Sequence, residues 1–245
     1  IQPVYNEEIV VDGSVDYLTN ATRDATFEEV MHLVQDYGIS KIYPEFQKEI
    51  QAAADNAIKN SFWMSVMLPE WEQEGSIASE YFATIVDVFY GFWQHHETGI
   101  AFNGEYYFAS REAMKAGDSK GHYLMENKFL PPYITYEVFI PSSFAATFLM
   151  QPDTSALYSF KTQYLSKISI SGQNSMDIVQ NAANNRIKGN SADNKVIYSG
   201  DFNEYVIETL NGQTIVSDLI SGRDGSDTLT GIEFCGFKDT SVFVN

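Results

Sequence analysis

Ile178-Val179-Gln180-Asn181-Ala182-Ala183-Asn184-Asn185-Arg186-Ile187-Lys188-Gly189-Asn190-Ser191-Ala192-Asp193-Asn194-Lys195-Val196 runs in nine-residue steps. Ile178, Ile187 and Val196 are each nine apart, Asn185 and Asn194 stand two positions before the last two, and Asn181 and Asn190 keep the same step. A period of nine is the mark of a parallel β-roll, in which each repeat supplies one turn and one short strand. Downstream, Val206-Ile207-Glu208-Thr209-Leu210 and Gln213-Thr214-Ile215-Val216 flank Asn211-Gly212, the pairing expected of a β-hairpin with a type I′ turn. The C-terminal part therefore reads as all-β.

Upstream the period changes to that of helices. Asp24 to Tyr37 carries Phe27, Val30, Met31, Val34 and Tyr37 at helical spacing, with Gly38 placed to end the helix. Pro44 can open a second helix running to about Trp63, Ser76 can cap a third reaching Trp93, and Ser110 and Asp118 can cap two shorter ones before Pro131-Pro132. Character changes between residues 131 and 160. The expected fold class is α+β: a mainly helical domain over residues 1–145, then a small all-β module over 146–245.

Length and composition set the outer limits. A chain of 245 residues, 44% hydrophobic, with 17 Phe and 15 Tyr, can build sizeable cores. No apolar run approaches the roughly 20 residues of a membrane span. The formal charge is −18, concentrated as −14 in residues 1–150 (8 basic against 22 acidic). Such a surface repels phosphate backbones, which argues against nucleic-acid partners. The acidity fits a binder of divalent cations, life in salt water, or plain solubility. One cysteine, Cys235, excludes internal disulfides. The sequence opens at Ile1 without a charged, apolar leader, and the expectation is a processed form or a fragment, any signal lying outside it.

Chemistry concentrates in Phe27-Glu28-Glu29-Val30-Met31-His32. In an H-E-x-x-H helix two histidines four apart hold zinc and the Glu between them acts as general base. Here Glu28 occupies the first histidine position, Glu29 the base position and His32 the second histidine position. On a helix Glu28 and His32 share a face one turn apart, so both can reach one metal, and Glu80 in Ser79-Glu80-Tyr81-Phe82-Ala83 offers a third ligand. A Glu-Glu-x-x-His stretch is equally the ordinary exposed face of an amphipathic helix, and both readings stay open at this point. Zinc between two carboxylates and one imidazole would be a weaker Lewis acid than at a His₂Glu site, and so oxygen-rich a set also suits harder metals such as Mn²⁺. His95-His96-Glu97 could add a ligand or stabilise an oxyanion, and Tyr106 or Tyr107 could stabilise an oxyanion; His122, beside Tyr123 on a short helix, reads as an ordinary histidine, and Cys235 has no clear partner.

With Glu80-Tyr81-Phe82-Ala83 in an E-[FY]-F-A setting, residues 20–130 resemble the gluzincin metallopeptidases, particularly the anthrax lethal factor-like group. Gly91-Phe92-Trp93 and Ser110-Arg111-Glu112-Ala113-Met114, with Asp118 and Tyr123, also look like parts of such secreted bacterial proteins. The resemblance implies a zinc site of Glu28, His32 and Glu80, with Glu29 as base and a peptide substrate. It departs from the pattern at Glu28 and at Thr84, where an acid often orients a ligand histidine; Asp87 could take that role.

Gly222-Arg223-Asp224-Gly225-Ser226-Asp227-Thr228-Leu229-Thr230 resembles one RTX nonapeptide, with Arg223 in place of a glycine. That likeness implies calcium at Asp224 and Asp227 and an inward Leu229, while Asn185 and Asn194 supply only neutral amides in the earlier turns. The expectation is a secreted bacterial metallopeptidase-like protein with an RTX-like tail. The alternative is a catalytically inactive descendant that serves as an extracellular binding or surface-structural protein stiffened by calcium.

Overall fold

Glycines and one serine in left-handed conformation punctuate the helical half of the computed structural model, which describes residues 9–10, 25–94, 104–129 and 137–244. Helix α1 (Thr26–Val34) does not stop at Gly38: it runs on as a π-helical segment, Gln35–Ile39, and one further turn, Ser40–Ile42. Pro44 opens α2 (Pro44–Lys59) as expected, but the helix ends before Trp63. There Ser61 takes φ 58 and the Phe62 N–H returns to the Ala57 carbonyl at 2.8 Å, a Schellman closure made without glycine. The expectations did not include α3 (Leu68–Glu74), which begins with proline in its first turn and ends at Gly75, φ 75. Helix α4 (Ile77–Phe89) closes the same way at Gly91, with Phe92 N–H on the Asp87 carbonyl. Ser110 caps α5 (Arg111–Gly117) by accepting from Ala113 N–H, and Asp118 caps α6 (Ser119–Tyr123) by accepting from Gly121 N–H. Pro131-Pro132 lies outside the described residues.

Helix α4 is the centre of this unit: Tyr81, Phe82, Ile85, Val86 and Val88 are fully buried, and Phe82 meets Phe46 of α2 and Phe129 edge-on. Asp118 does more than cap. Its buried Oδ2 accepts the hydroxyls of Tyr81 at 2.6 Å and Tyr106 at 2.9 Å, which places one carboxylate between three segments. Helix α1 is oriented contrary to its apolar pattern. It buries Met31, His32 and Gln35, while Val30 and Leu33 are each 49% exposed and Tyr37 is 69% exposed.

The chain divides into two compact units, 1–134 and 135–245, so the second begins before the expected residue 146. It opens with β1 (Glu137–Ile140) and β2 (Phe148–Leu149) and includes one short helix, α7 (Ser159–Thr162), so it is not purely β. Then follow β3 (Lys167–Ile170), β4 (Met176–Val179), β5 (Arg186–Lys188), β6 (Asn194–Ile197), β7 (Tyr205–Leu210), β8 (Gln213–Asp218), β9 (Ser226–Thr230), β10 (Phe234–Gly236) and β11 (Ser241–Phe243). Two mixed sheets result, in orders β1-β3-β5-β9-β8-β7 and β11-β10-β6-β4-β2.

The nine-residue step is a step between sheets. Ile178 of β4 and Val196 of β6 are parallel register partners in one sheet, and Ile187 of β5, between them in sequence, pairs with Ile168 and Leu229 in the other. All of these side chains point inward and are buried. The turns between strands are built alike: Asn185 Nδ2 donates to Asn181 Oδ1 at 3.0 Å, and Asn194 Nδ2 to Asn190 Oδ1 at 3.0 Å. Close stacking of circuits demands glycine at 225, with φ 71, where a Cβ would lie 2.4 Å from the Ala183 carbonyl oxygen. The predicted hairpin is β7–β8, with Asn211 at φ 54 and Gly212 at φ 74, the two positive values of a type I′ turn.

Candidate metal centre

Glu28, His32 and Glu80 come together. Each offers a ligand atom, and these atoms lie within 4.8 Å of one another. The helical step of four puts Glu28 and His32 on one face of α1, and α4, packed against α1, presents Glu80 from its first turn. His32 is buried, its Nε2 makes no hydrogen bond, and that nitrogen stands 3.7 Å from Glu80 Oε2. A buried imidazole nitrogen without a partner is an uncompensated cost that a bound cation would remove. Ligands of a tetrahedral zinc at ~2.0–2.2 Å stand roughly 3.4 Å apart, so small side-chain adjustments suffice.

Electrostatics point the same way. Burial, and then repulsion from Glu28, Glu29, Glu74 and Asp36, pushes the Glu80 carboxyl up to about 8. A buried carboxyl repelled by neighbouring carboxylates is stabilised by a proton or by a metal ion.

Glu29 stands differently from the expected base. Its Oε2 is 3.9 Å from His32 Nδ1, the ring nitrogen turned away from Glu80, so it flanks the imidazole on its other side. Thr84 turns its hydroxyl back onto the Glu80 carbonyl at 2.8 Å, and Asp87, two turns beyond Glu80, is wholly buried. Tyr106 spends its hydroxyl on Asp118 in the core, which removes it as an oxyanion stabiliser, and Tyr107 is 64% exposed. His122 is buried against Phe89, with its pKa lowered first by burial, and Nδ1 lies 3.6 Å from Glu126. Burial raises the Cys235 thiol to about 12, which keeps it protonated and unreactive. His95-His96-Glu97 lies outside the described residues.

The two carboxylates expected at a calcium turn face inward. Asp224 accepts from the backbone and hydroxyl of Ser199 and from the Tyr205 hydroxyl. Asp227 sits within β9, not in a turn, and accepts Asn185 N–H at 2.8 Å. Donors occupy both oxygens of Asp224 and Oδ1 of Asp227, while Asp227 Oδ2 makes no hydrogen bond.

Sequence reasoning missed Asp36. The continuous helix carries it one turn past His32, where it accepts the Ser79 hydroxyl at 2.9 Å. The spacing 28, 32, 36 was the available signal.

No protein-family model, curated protein or solved structure matches the chain.

Proposed function

We propose that the N-terminal unit is a metal-dependent hydrolase domain of gluzincin-like type acting on peptides, and that the β unit is an RTX-like module of the same secreted bacterial protein. The convergence of Glu28, His32 and Glu80, with His32 Nε2 buried and unbonded, carries the reading. These three residues would hold a divalent metal, with zinc the first candidate; bound there, it would supply Lewis-acid polarisation of a peptide carbonyl. Glu29 would take and return the proton of the attacking water, which requires its side chain to swing from the Nδ1 side of His32.

That same placement of Glu29 favours a second reading, in which the site binds metal without turnover. Zinc-loaded protein incubated with a pool of fluorogenic peptides separates them. Cleavage that falls roughly 100-fold or more in Glu29→Gln, with metal content unchanged, supports the hydrolase. Stoichiometric metal with no cleavage by wild type, at any pH from 6 to 10, leaves the non-catalytic reading.

A further inference from the structure

The ligands come from two helices, and nothing in the ligand set itself sets the distance between them. Phe27 packs edge-on against Tyr90 and Phe92, beyond the C-terminal end of α4. At the other end of α4, Ser79 Oγ donates to Asp36 Oδ1 at 2.9 Å. Ser79 is buried and immediately precedes Glu80. Asp36 is the second residue of the π-helical segment that replaces an ordinary helix end, and such segments recur at functional sites.

We infer that Asp36 is a positioning residue of the metal centre: by accepting the Ser79 hydroxyl it fixes the first turn of α4 against α1, and so holds Glu80 opposite His32 Nε2. This rests on the metal reading above. The bond does what a bound ion cannot do before it arrives. Glu28 and Glu29 both act against negative charge on Glu80, and the Ser79–Asp36 bond keeps the first turn of α4 in place against that push. Asp36 also adds negative charge near Glu80, so its contribution has two components, a bond and a field, which substitution can separate. Ser79→Ala removes the bond and keeps the charge. Asp36→Asn removes the charge and keeps an acceptor oxygen for the Ser79 hydroxyl. Ser79→Thr keeps the hydroxyl.

Zinc affinity of the full chain, read by competition with a chromophoric chelator, is the measurement, with thermal unfolding of the metal-free protein as control. The inference expects Ser79→Ala to weaken zinc binding about 10-fold or more, the size typical for loss of a group that orients a ligand. Asp36→Asn and Ser79→Thr should stay within a few-fold of wild type. Asp36→Ala should match Ser79→Ala, and the double variant should be no worse than either. Full affinity in Ser79→Ala overturns the inference, and so does a loss confined to Asp36→Asn, which would make the role purely electrostatic. An equal drop in metal-free melting temperature for all variants, with affinity unchanged once folded, overturns it as well. Failure of wild type itself to bind zinc, Mn²⁺ or Co²⁺ removes the metal reading and this inference together; wild-type binding with indifferent variants removes this inference alone.

Discussion

Asp227 Oδ1 accepts the backbone N–H of Asn185 at 2.8 Å, reaching across from a circuit 42 residues further along the chain. Glu233 Oε2 repeats the contact on the facing side with the N–H of Asn194, also at 2.8 Å. Each asparagine turn thus carries an acidic residue of the next circuit above it. Asp227 is fully buried and its second oxygen, Oδ2, makes no hydrogen bond.

Asp227 should make the β unit weaken as pH rises. Burial lifts its carboxyl from 3.8 to about 7, against the opposing pull of the Asn185 N–H. Between those values the folded state holds a proton that the unfolded chain releases. The contribution is therefore complete below about pH 4 and is lost as pH climbs through about 7, with a slope of about 1.4 kcal/mol for each pH step across that window. Asp227→Asn should flatten this dependence and stabilise the protein above pH 7. Urea unfolding at pH 5, 7 and 9 measures it; parallel pH profiles for the two proteins would refute the assignment.

Calcium should matter little to the turns. They close through amides, with Asn185 Nδ2 on Asn181 and Ala183 and Asn194 Nδ2 on Asn190 and Ala192. Asn185→Ala or Asn194→Ala should each cost about 1–3 kcal/mol by removing the two side-chain bonds that close its turn. Melting curves in calcium and in EGTA should coincide. A calcium-dependent rise abolished by Asp227→Ala would show that an ion displaces the donors on that carboxylate.

At the metal centre, His32→Ala should remove bound zinc, because it deletes the only nitrogen among the three ligands. Glu28→His should tighten zinc by about 10-fold or more, exchanging a repelled carboxylate for a neutral donor. Equilibrium dialysis with metal analysis reports both, and unchanged zinc content in His32→Ala would move the site elsewhere.

Asp118→Ala should be among the most damaging single changes in the helical unit. It strands the hydroxyls of Tyr81 and Tyr106, both buried, at about 1–3 kcal/mol each. Asp118→Asn, which keeps an acceptor, should cost less. Denaturant midpoints compare the two, and equal losses would mean that the shape of the side chain matters and its hydrogen bonds do not.

What could be read in advance was what the chain repeats or spaces locally. Ile178, Ile187 and Val196 reveal the coil because a parallel stack forces each circuit to reuse one register. Asn211-Gly212 reveals the hairpin because only that turn needs two left-handed residues in succession. Glu28 and His32 follow from the helical step alone. The rest depended on packing. Helix α1 turns its polar row inward because α4 brings Glu80 and Ser79 to meet it, so Val30 and Tyr37 are left outside despite their spacing. Gly38 does not end its helix, because the π-helical segment carries the chain past it, whereas after Gly75 and Gly91 the next N–H turns back, Ser76 donating to the Trp71 carbonyl and Phe92 to that of Asp87. Tyr106 has the hydroxyl a catalytic site could use, but Asp118, 12 residues on, holds it in the core.

The hairpin and the final strand have a consequence for self-association. A stack of parallel circuits ends in open edges that invite the next circuit, including one from another molecule. Here β8 pairs antiparallel with β9, and β11 antiparallel with β10, so both sheets reverse direction at that end, while β1 and β2 at the other end stay parallel. A reversed edge does not offer an arriving parallel circuit its own hydrogen-bond pattern, so a chain trimmed of β7, β8 and β11 should self-associate more readily by parallel stacking.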